Sequence, residues 1–261
     1  MSQLRELSGK HAVVTGASRG IGKEIALAYA RAGADLTILA RNLNELATVA
    51  EEIRGQDVSC TVVKVDLAEP DNTKRACTEI VNSAGHIDIL VNNAGADLSY
   101  GVSVADSEPD LWWRTIEINI RGVYLMVHYL LPHLKDGGKI INMSSGMGLT
   151  PAPNQSSYVV SKAGLHIFTE VLANELWPRK IDVNNLIPGP VATEMFNWPG
   201  REEALQEDGV MEKFKDELPP FFPPQERMKS PREVAELALY MATRPVGGAT
   251  GQTFSLGRRP F

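Results

Sequence analysis

The chain has 261 residues, a formal net charge of −6 and 43% hydrophobic residues, enough for one sizeable core in a single domain spanning residues 1–261. Mild acidity without any basic block argues against a nucleic-acid partner. The longest apolar run, near residues 122–134, is broken by His128, Pro132 and His133, so no membrane span is expected. Cys60 and Cys77 stand in no metal-like spacing, which points to no metal site and to a reducing compartment. The opening M-S-Q-L-R-E-L carries no signal-peptide core, and a cytoplasmic location is expected.

The pattern along the chain alternates. A β-rich run at His11–Thr15 leads through T-G-A-S-R-G-I-G into a helix over 21–32, then a strand at Asp35–Ala40 and a helix at Leu43–Arg54. A strand at 59–65, a helix at 71–84 and a strand at Ile87–Asn92 follow. The spacing then predicts one long helix over 108–134, with Pro109 in its first turn where proline is tolerated. Next come a strand at 139–143, a helix at 156–177, a strand at 181–187, a helix capped by Ser230 and Pro231 that runs to about Thr243, and a last strand at 253–256. Such alternation implies an α/β fold: a doubly wound parallel sheet of Rossmann type with helices on both faces. Residues 194–228 break the rhythm with Phe196, Trp198, Phe214, Phe221 and Phe222 among five prolines, an insertion long enough to be functional or disordered.

Gly16, Gly20 and Gly22 follow the first strand and open the first helix. Glycines there let backbone approach a pyrophosphate, and a helix N-terminus offers N–H groups and partial positive charge. The spacing G-x-x-x-G-x-G differs from the commoner G-x-G-x-x-G. At the end of the second strand an acid would hold a ribose 2′-hydroxyl, but this chain has Ala40 and Arg41, and Asp35 sits at the strand's opposite end. Arg19, in the glycine loop, adds a second cation. Two arginines and no acid favour NADP(H) over NAD(H).

Tyr158 and Lys162 stand one helical turn apart, so both can share a face. By itself Y-x-x-x-K is also the pattern of an exposed lysine after a half-buried tyrosine. An ammonium nearby can lower a phenol's pKa by ~1–3 units from a reference near ~10. Ser145, at the end of the strand before, could hydrogen-bond the oxygen that exchanges the proton. Ser144 is the rival serine; strand alternation lets only one of the two face the crevice, and spacing to Tyr158 selects Ser145.

Taken together, T-G-A-S-R-G-I-G, Asp66-Leu67, N-N-A-G ending at Gly95, Asn119, Ser145, Tyr158, Lys162 and P-G-P-V-A-T ending at Thr193 resemble the short-chain dehydrogenase/reductase family across nearly the whole chain. The resemblance implies a catalytic set of Asn119, Ser145, Tyr158 and Lys162. It implies cofactor contacts from Gly16, Ser18, Arg19, Gly20, Ile21, Gly22, Arg41, Asp66, Leu67, Asn93, Ala94, Gly95, Tyr158, Lys162, Pro188, Gly189, Val191 and Thr193. Asp66 and Leu67 would meet the adenine, and Asn119 would hold a water that links Lys162 to solvent.

It also implies a carbonyl reductase or secondary-alcohol dehydrogenase, in which Tyr158 protonates the carbonyl oxygen and Ser145 positions it. Residues 194–228 fall where the family carries its substrate lid. Their aromatics suggest an apolar or aromatic substrate, with Tyr100, Met147, Leu149, Pro153 and Gln155 as further pocket candidates. A 3-oxoacyl-thioester reductase, an NAD-dependent alcohol dehydrogenase and a non-catalytic NADP-binding scaffold are the alternatives. The family's habit, with helices at 111–134 and 156–177 apolar on more than one face, implies a homotetramer or homodimer.

Overall fold

The structure, a computed structural model, describes residues 5–194, 207–216, 218, 222 and 225–257. Strands β1 (His11–Thr15), β2 (Asp35–Ala40), β3 (Cys60–Lys64), β4 (Ile87–Asn92), β5 (Leu134–Met143), β6 (Asp182–Ile187) and β7 (Thr253–Ser255) pair in parallel in the order β3-β2-β1-β4-β5-β6-β7. β1, β4 and β6 are buried along their whole length, although β6 carries Asp182, Asn184 and Asn185 among its apolar residues. Helices α1 (Gly20–Arg31), α2 (Leu43–Arg54), α3 (Pro70–Ala84), α4 (Pro109–Ile116), α5 (Gly122–Leu130), α6 (Ser156–Leu176), α7 (Glu207–Lys213) and α8 (Pro231–Thr243) complete the element order.

Period-two alternation divides the core. Val14, Ile38, Val91, Ile141 and Leu186 pack with α1, α2 and α8 on one face of the sheet. Val13, Leu39, Leu90, Ile140 and Val183 pack with α3, α5 and α6 on the other. Each buried Val, Ile or Leu contributes roughly 1.5–3 kcal/mol, so the sheet is held from both sides. The chain steps outward from β1 to β3, then returns to place β4 on the other side of β1. That reversal opens a crevice at the carboxyl ends of β1 and β4.

The helix expected over 108–134 is not one helix. α4 ends at Ile116, a π-helical turn occupies Glu117–Arg121, α5 follows, and a 3-10 turn at Leu131–His133 contains Pro132, which has no N–H to continue the ladder. β5 begins at Leu134 rather than Lys139: Leu134 pairs with Ile87, the register then shifts, and Gly137 adopts φ +78° in the irregularity. The expected cap of α8 is present as a capping box between Ser230 and Glu233. From within 194–228, Val210 and Met228 form a small cluster with Ala192, against which Met211, Phe214 and Leu218 pack. Phe196, Trp198 and Phe221, like the tail after Gly257, lie outside the described residues.

Candidate active site

The glycine turn is built from two strand ends. Thr15 Oγ1 accepts from the N–H groups of Asn93 and Ala94, both at 3.0 Å. Asn93 Nδ2 donates to Thr15 O at 2.9 Å and to Gly16 O at 3.2 Å. Asn93 and Ala94 therefore brace the turn from behind. A Cβ on Gly22 would lie 2.2 Å from Gly16 O, closer than any real contact, so hydrogen alone fits there. Gly16 adopts φ +67°, and a Cβ on it would meet Ala94 Cα at 2.9 Å. Ser18 and Ile21 lie half-buried along the same turn. The first bond into α1 runs from Lys23 N–H to Arg19 O, leaving the N–H groups ahead of it without a helical acceptor. Such a turn is an anion cradle.

Three further segments converge on it. Thr193, after β6, comes close enough that its Cγ2 would sit 3.3 Å from a Cβ on Gly20. Pro188 and Gly189 (φ +73°) turn the chain off β6, and Val191 forms an isolated bridge with Lys229. At the end of β2, Ala40 is followed by the exposed Arg41, while Asp35 lies at the other end, accepting from Ser59 N–H at 2.7 Å. Arg19 is not a lone cation: its guanidinium meets Glu194 at 2.5 Å. Asp66 Oδ1 accepts from Ala68 N–H at 3.0 Å, and its Oδ2 holds Arg114 at 2.9 Å. Leu67 is buried, and a Cβ on Gly122 would meet its Cβ at 2.8 Å.

Ser145, Tyr158 and Lys162 come together where β5 gives way to α6. The Tyr158 phenol is hydrogen-bonded to Ser145, whose Oγ also accepts from Met147 N–H at 3.2 Å. Lys162 Nζ lies 5.6 Å from the Tyr158 ring centroid and donates to Met143 O at 2.8 Å. Ser144 instead points its hydroxyl into the interior, where Oγ has no partner among the described residues. Gly148 lets the turn after Ser145 lie on α6, since a Cβ there would be 2.7 Å from the Lys162 carbonyl carbon.

Asn119 sits inside the π-helical turn, fully buried. Its Oδ1 accepts from Ala96 N–H at 2.9 Å, and its Nδ2 donates to Ala96 O at 2.8 Å and to Ser161 Oγ at 2.9 Å. Ser161 in turn donates to Tyr158 O at 2.7 Å. A Cβ on Gly95 would stand 3.2 Å from Asn119 Oδ1 and 3.4 Å from Lys162 Nζ. The π turn, frequent at functional sites, is what aims this side chain out of its helix and onto the loop after β4.

The electrostatics correct one sequence expectation. Burial pushes the Tyr158 phenol up to about 12, the hydrogen bond with Ser145 pulls it down, and the charge of Asp97 adds to the rise. Burial also brings Lys162 down to about 8. With protein groups alone, then, the ammonium does not make the phenol acidic. Both groups share a desolvated site that penalises either charge, so the phenol keeps its proton and the amine holds its own loosely.

Two features of the site carried no sequence signal. Asn92 Nδ2 donates to Asn142 Oδ1 at 2.8 Å, Asn142 Nδ2 to Thr169 Oγ1 at 2.9 Å, and Thr169 Oγ1 to Asn185 Oδ1 at 2.9 Å, a buried polar chain across β4, β5, α6 and β6. His166 Nε2 lies 3.2 Å from Ser145 O, pinning the serine's backbone to α6. Of the further pocket candidates, Gln155 is buried, Tyr100 and Met147 are half-buried, and Leu149 and Pro153 are exposed.

A parallel, doubly wound sheet with a glycine-braced crevice and a Ser–Tyr–Lys set beside it is a Rossmann-type fold carrying proton-transfer groups. The family model for short chain dehydrogenase matches residues 10–203. A short-chain type dehydrogenase/reductase of Picea abies is 35% identical over 91% of this chain and 87% of its own. The 3-oxoacyl-acyl-carrier-protein reductase of Aquifex aeolicus is 34% identical over 98% and 99%, and versicolorin reductase 1 of Aspergillus parasiticus 30% over the whole of both. Among solved structures, a short chain dehydrogenase of Burkholderia cenocepacia in complex with NADP is 30% identical, with a TM-score of 0.82 over 97% of this chain and 98% of that one. A metagenomic blue fluorescent protein in complex with NADPH is 26% identical, with a TM-score of 0.82 over 97% and 98%. The chain belongs to the short-chain dehydrogenase/reductase family, oxidoreductases acting on CH–OH and C=O groups. No helix among the described residues is long and apolar enough to cross a membrane.

Proposed function

We propose that the chain is an NADPH-dependent carbonyl reductase, working in reverse as a secondary-alcohol dehydrogenase, on a small to medium apolar or aromatic substrate. The observation that carries the reading is the phenol of Tyr158, hydrogen-bonded to Ser145 and one turn from buried Lys162, beside the glycine-braced crevice.

The residues present fit the cofactor. Gly16 and Gly22 let the turn close tightly on itself and on Asn93 and Ala94, where a Cβ would collide, and α1 presents N–H groups beside it. Asp66, Leu67 and Gly95 suit the adenosine side, with Asn93 and Ala94 bracing the turn. Pro188, Gly189, Val191 and Thr193 suit the nicotinamide side. Ala40 and Arg41 at the end of β2 favour a 2′-phosphate, with Arg19 able to join once released from Glu194. When bound, the reduced nicotinamide supplies hydride to the carbonyl carbon.

The chain's own residues supply the rest. Ser145 donates to the carbonyl oxygen and holds it within reach of the phenol. Tyr158, protonated in the desolvated site, gives its proton to that oxygen as negative charge grows there. Lys162 stabilises the phenolate left behind and returns a proton to it, a task suited to an amine titrating near about 8. Asn119 fixes Ala96 and, through Ser161, the backbone of Tyr158, keeping donor and substrate loop in register.

A 3-oxoacyl-thioester substrate is the second reading, favoured by the likeness to the Aquifex aeolicus reductase. Exposed Trp113, Tyr124, Val160, Ile167 and Val171 along α4, α5 and α6 support a homotetramer or homodimer. Buried, unpaired Cys60 and Cys77 fit a cytoplasmic location.

Incubating the protein with NADPH or NADH and a panel of cyclic and aromatic ketones, quinones and β-ketoacyl thioesters tests the proposal. Loss of NADPH absorbance with an aromatic or cyclic ketone is expected. Absence of turnover across the panel would overturn it.

A further inference from the structure

Asp97 is held at the edge of the site by the chain on both sides of it. The residue before it, Ala96, is gripped at N–H and C=O by Asn119, and the N–H of the residue after it, Leu98, donates to Thr115 Oγ1 at 3.2 Å. Two positions upstream, Gly95 abuts Lys162 Nζ closely enough that a Cβ would lie 3.4 Å away. The loop therefore cannot carry the carboxylate away from the crevice without breaking the Asn119 and Thr115 contacts. Asp97 is half-buried, and Oδ1 accepts only a long bond from Ser99 N–H at 3.3 Å. Among the described residues no ion pair involves it. Its negative charge reaches the phenols of both Tyr158 and Tyr100, and Tyr100 is hydrogen-bonded to Gln155 at the start of α6. Asp97, Tyr100, Gln155 and Tyr158 are thus neighbours through charge or hydrogen bonding, a polar group beside the phenol.

We infer that Asp97 is a specificity-determining residue that accepts a hydrogen bond from a hydroxyl or amine N–H carried by the carbonyl substrate. The inference rests on the reductase reading and narrows its substrate class. A half-buried carboxylate without a counter-ion has acceptor capacity to spare, and a donor on the substrate can take it up in place of water. Burial pushes this carboxyl up to about 6, against the opposing pull of the Ser99 N–H. A donor bound there also offsets the field that holds the Tyr158 proton, so the preference extends from binding to proton transfer. Keto acids and other anions meet a like charge and are disfavoured.

The test compares 1-tetralones bearing a ring hydroxyl at each position with their O-methyl ethers, and amino-tetralones with their dimethylamino counterparts, in the wild type, Asp97→Asn and Asp97→Ala. The hydroxyl and amine arms separate the two donor sources. At one or more ring positions the wild type is expected to favour the donor over its methylated match by about tenfold or more in kcat/KM, the scale of one charge-assisted hydrogen bond. Asp97→Ala should bring that ratio to about one, and Asp97→Asn, isosteric and the safer fold, to a value between. A wild-type ratio near one at every position, or a ratio unchanged in either variant, would overturn the inference while leaving the reductase reading intact. Failure of the wild type to reduce any ketone would withdraw both.

Discussion

Asn119 grips Ala96 from both ends of one amide, Oδ1 on its N–H at 2.9 Å and Nδ2 on its C=O at 2.8 Å. The same Nδ2 reaches Ser161, which holds the Tyr158 carbonyl. One side chain therefore sets the spacing between the loop after β4 and the start of α6.

Asn119→Asp preserves shape but removes the Nδ2 donor, leaving Ala96 O without its partner and a buried carboxylate beside it. An unsatisfied buried group costs about 1–3 kcal/mol, more when charged. The midpoint of thermal unfolding is expected to fall, and kcat to fall further than KM for NADPH rises. An unchanged kcat would remove Asn119 from any positioning role.

Gly22→Ala forces a methyl to within 2.2 Å of Gly16 O, and the turn must open. NADPH affinity measured by fluorescence titration is expected to drop by about a hundredfold, on the scale of losing one or two phosphate hydrogen bonds. Affinity within about twofold of wild type would move the cofactor away from this turn.

Arg19 is committed to Glu194, so cofactor choice has two levers. Glu194→Gln releases the guanidinium and should lower KM for NADPH while leaving KM for NADH alone. Arg41→Asp should move the kcat/KM ratio of the two cofactors toward NADH. Steady-state kinetics with both cofactors reads each change, and ratios identical to wild type in both variants would refute an NADP preference read from these arginines.

Lys162 has its folded pKa lowered from 10.5 to about 8 by burial. Between those values the unfolded chain binds more protons, so wild-type stability rises with pH through that window and the penalty is fully present below about 8. Lys162→Met removes the charge but forfeits the bond to Met143 O. The variant is expected to be inactive yet more stable than wild type at pH 6–7, roughly 1–3 kcal/mol by denaturant unfolding, with the gap shrinking above about pH 8. A gap that widens with rising pH would contradict a desolvated lysine.

The strands were legible because β1 and β4 are buried on both faces and centre on residues 12–14 and 89–91, short apolar runs of strand length. The early start of β5 was hidden by Lys135, Asp136 and two glycines, which read as a loop although Leu134 already pairs with Ile87. The π turn was invisible because the segment after it, G-V-Y-L-M-V-H-Y-L, is apolar on more than one face, so a change of helical phase leaves no break in the pattern. Spacing to Tyr158 singled out Ser145, and the structure puts Ser145 beside that phenol while the Ser144 hydroxyl is buried elsewhere. The phenol's pKa was misjudged for a different reason. A charge one turn away is a local fact of sequence, whereas the desolvation that outweighs it comes from elements brought in by the fold. Asp97 escaped notice likewise, because only the fold brings in the Asn119 and Thr115 contacts that fix its loop.

The central claim is that the Tyr158 hydroxyl is the proton donor to a carbonyl whose reduction draws on NADPH. Tyr158→Phe deletes that one oxygen and leaves the ring. NADPH titration alongside ketone turnover measures it directly: cofactor affinity within about threefold of wild type, with kcat reduced by about a thousandfold, is the expected result. Turnover near the wild-type rate would contradict the account.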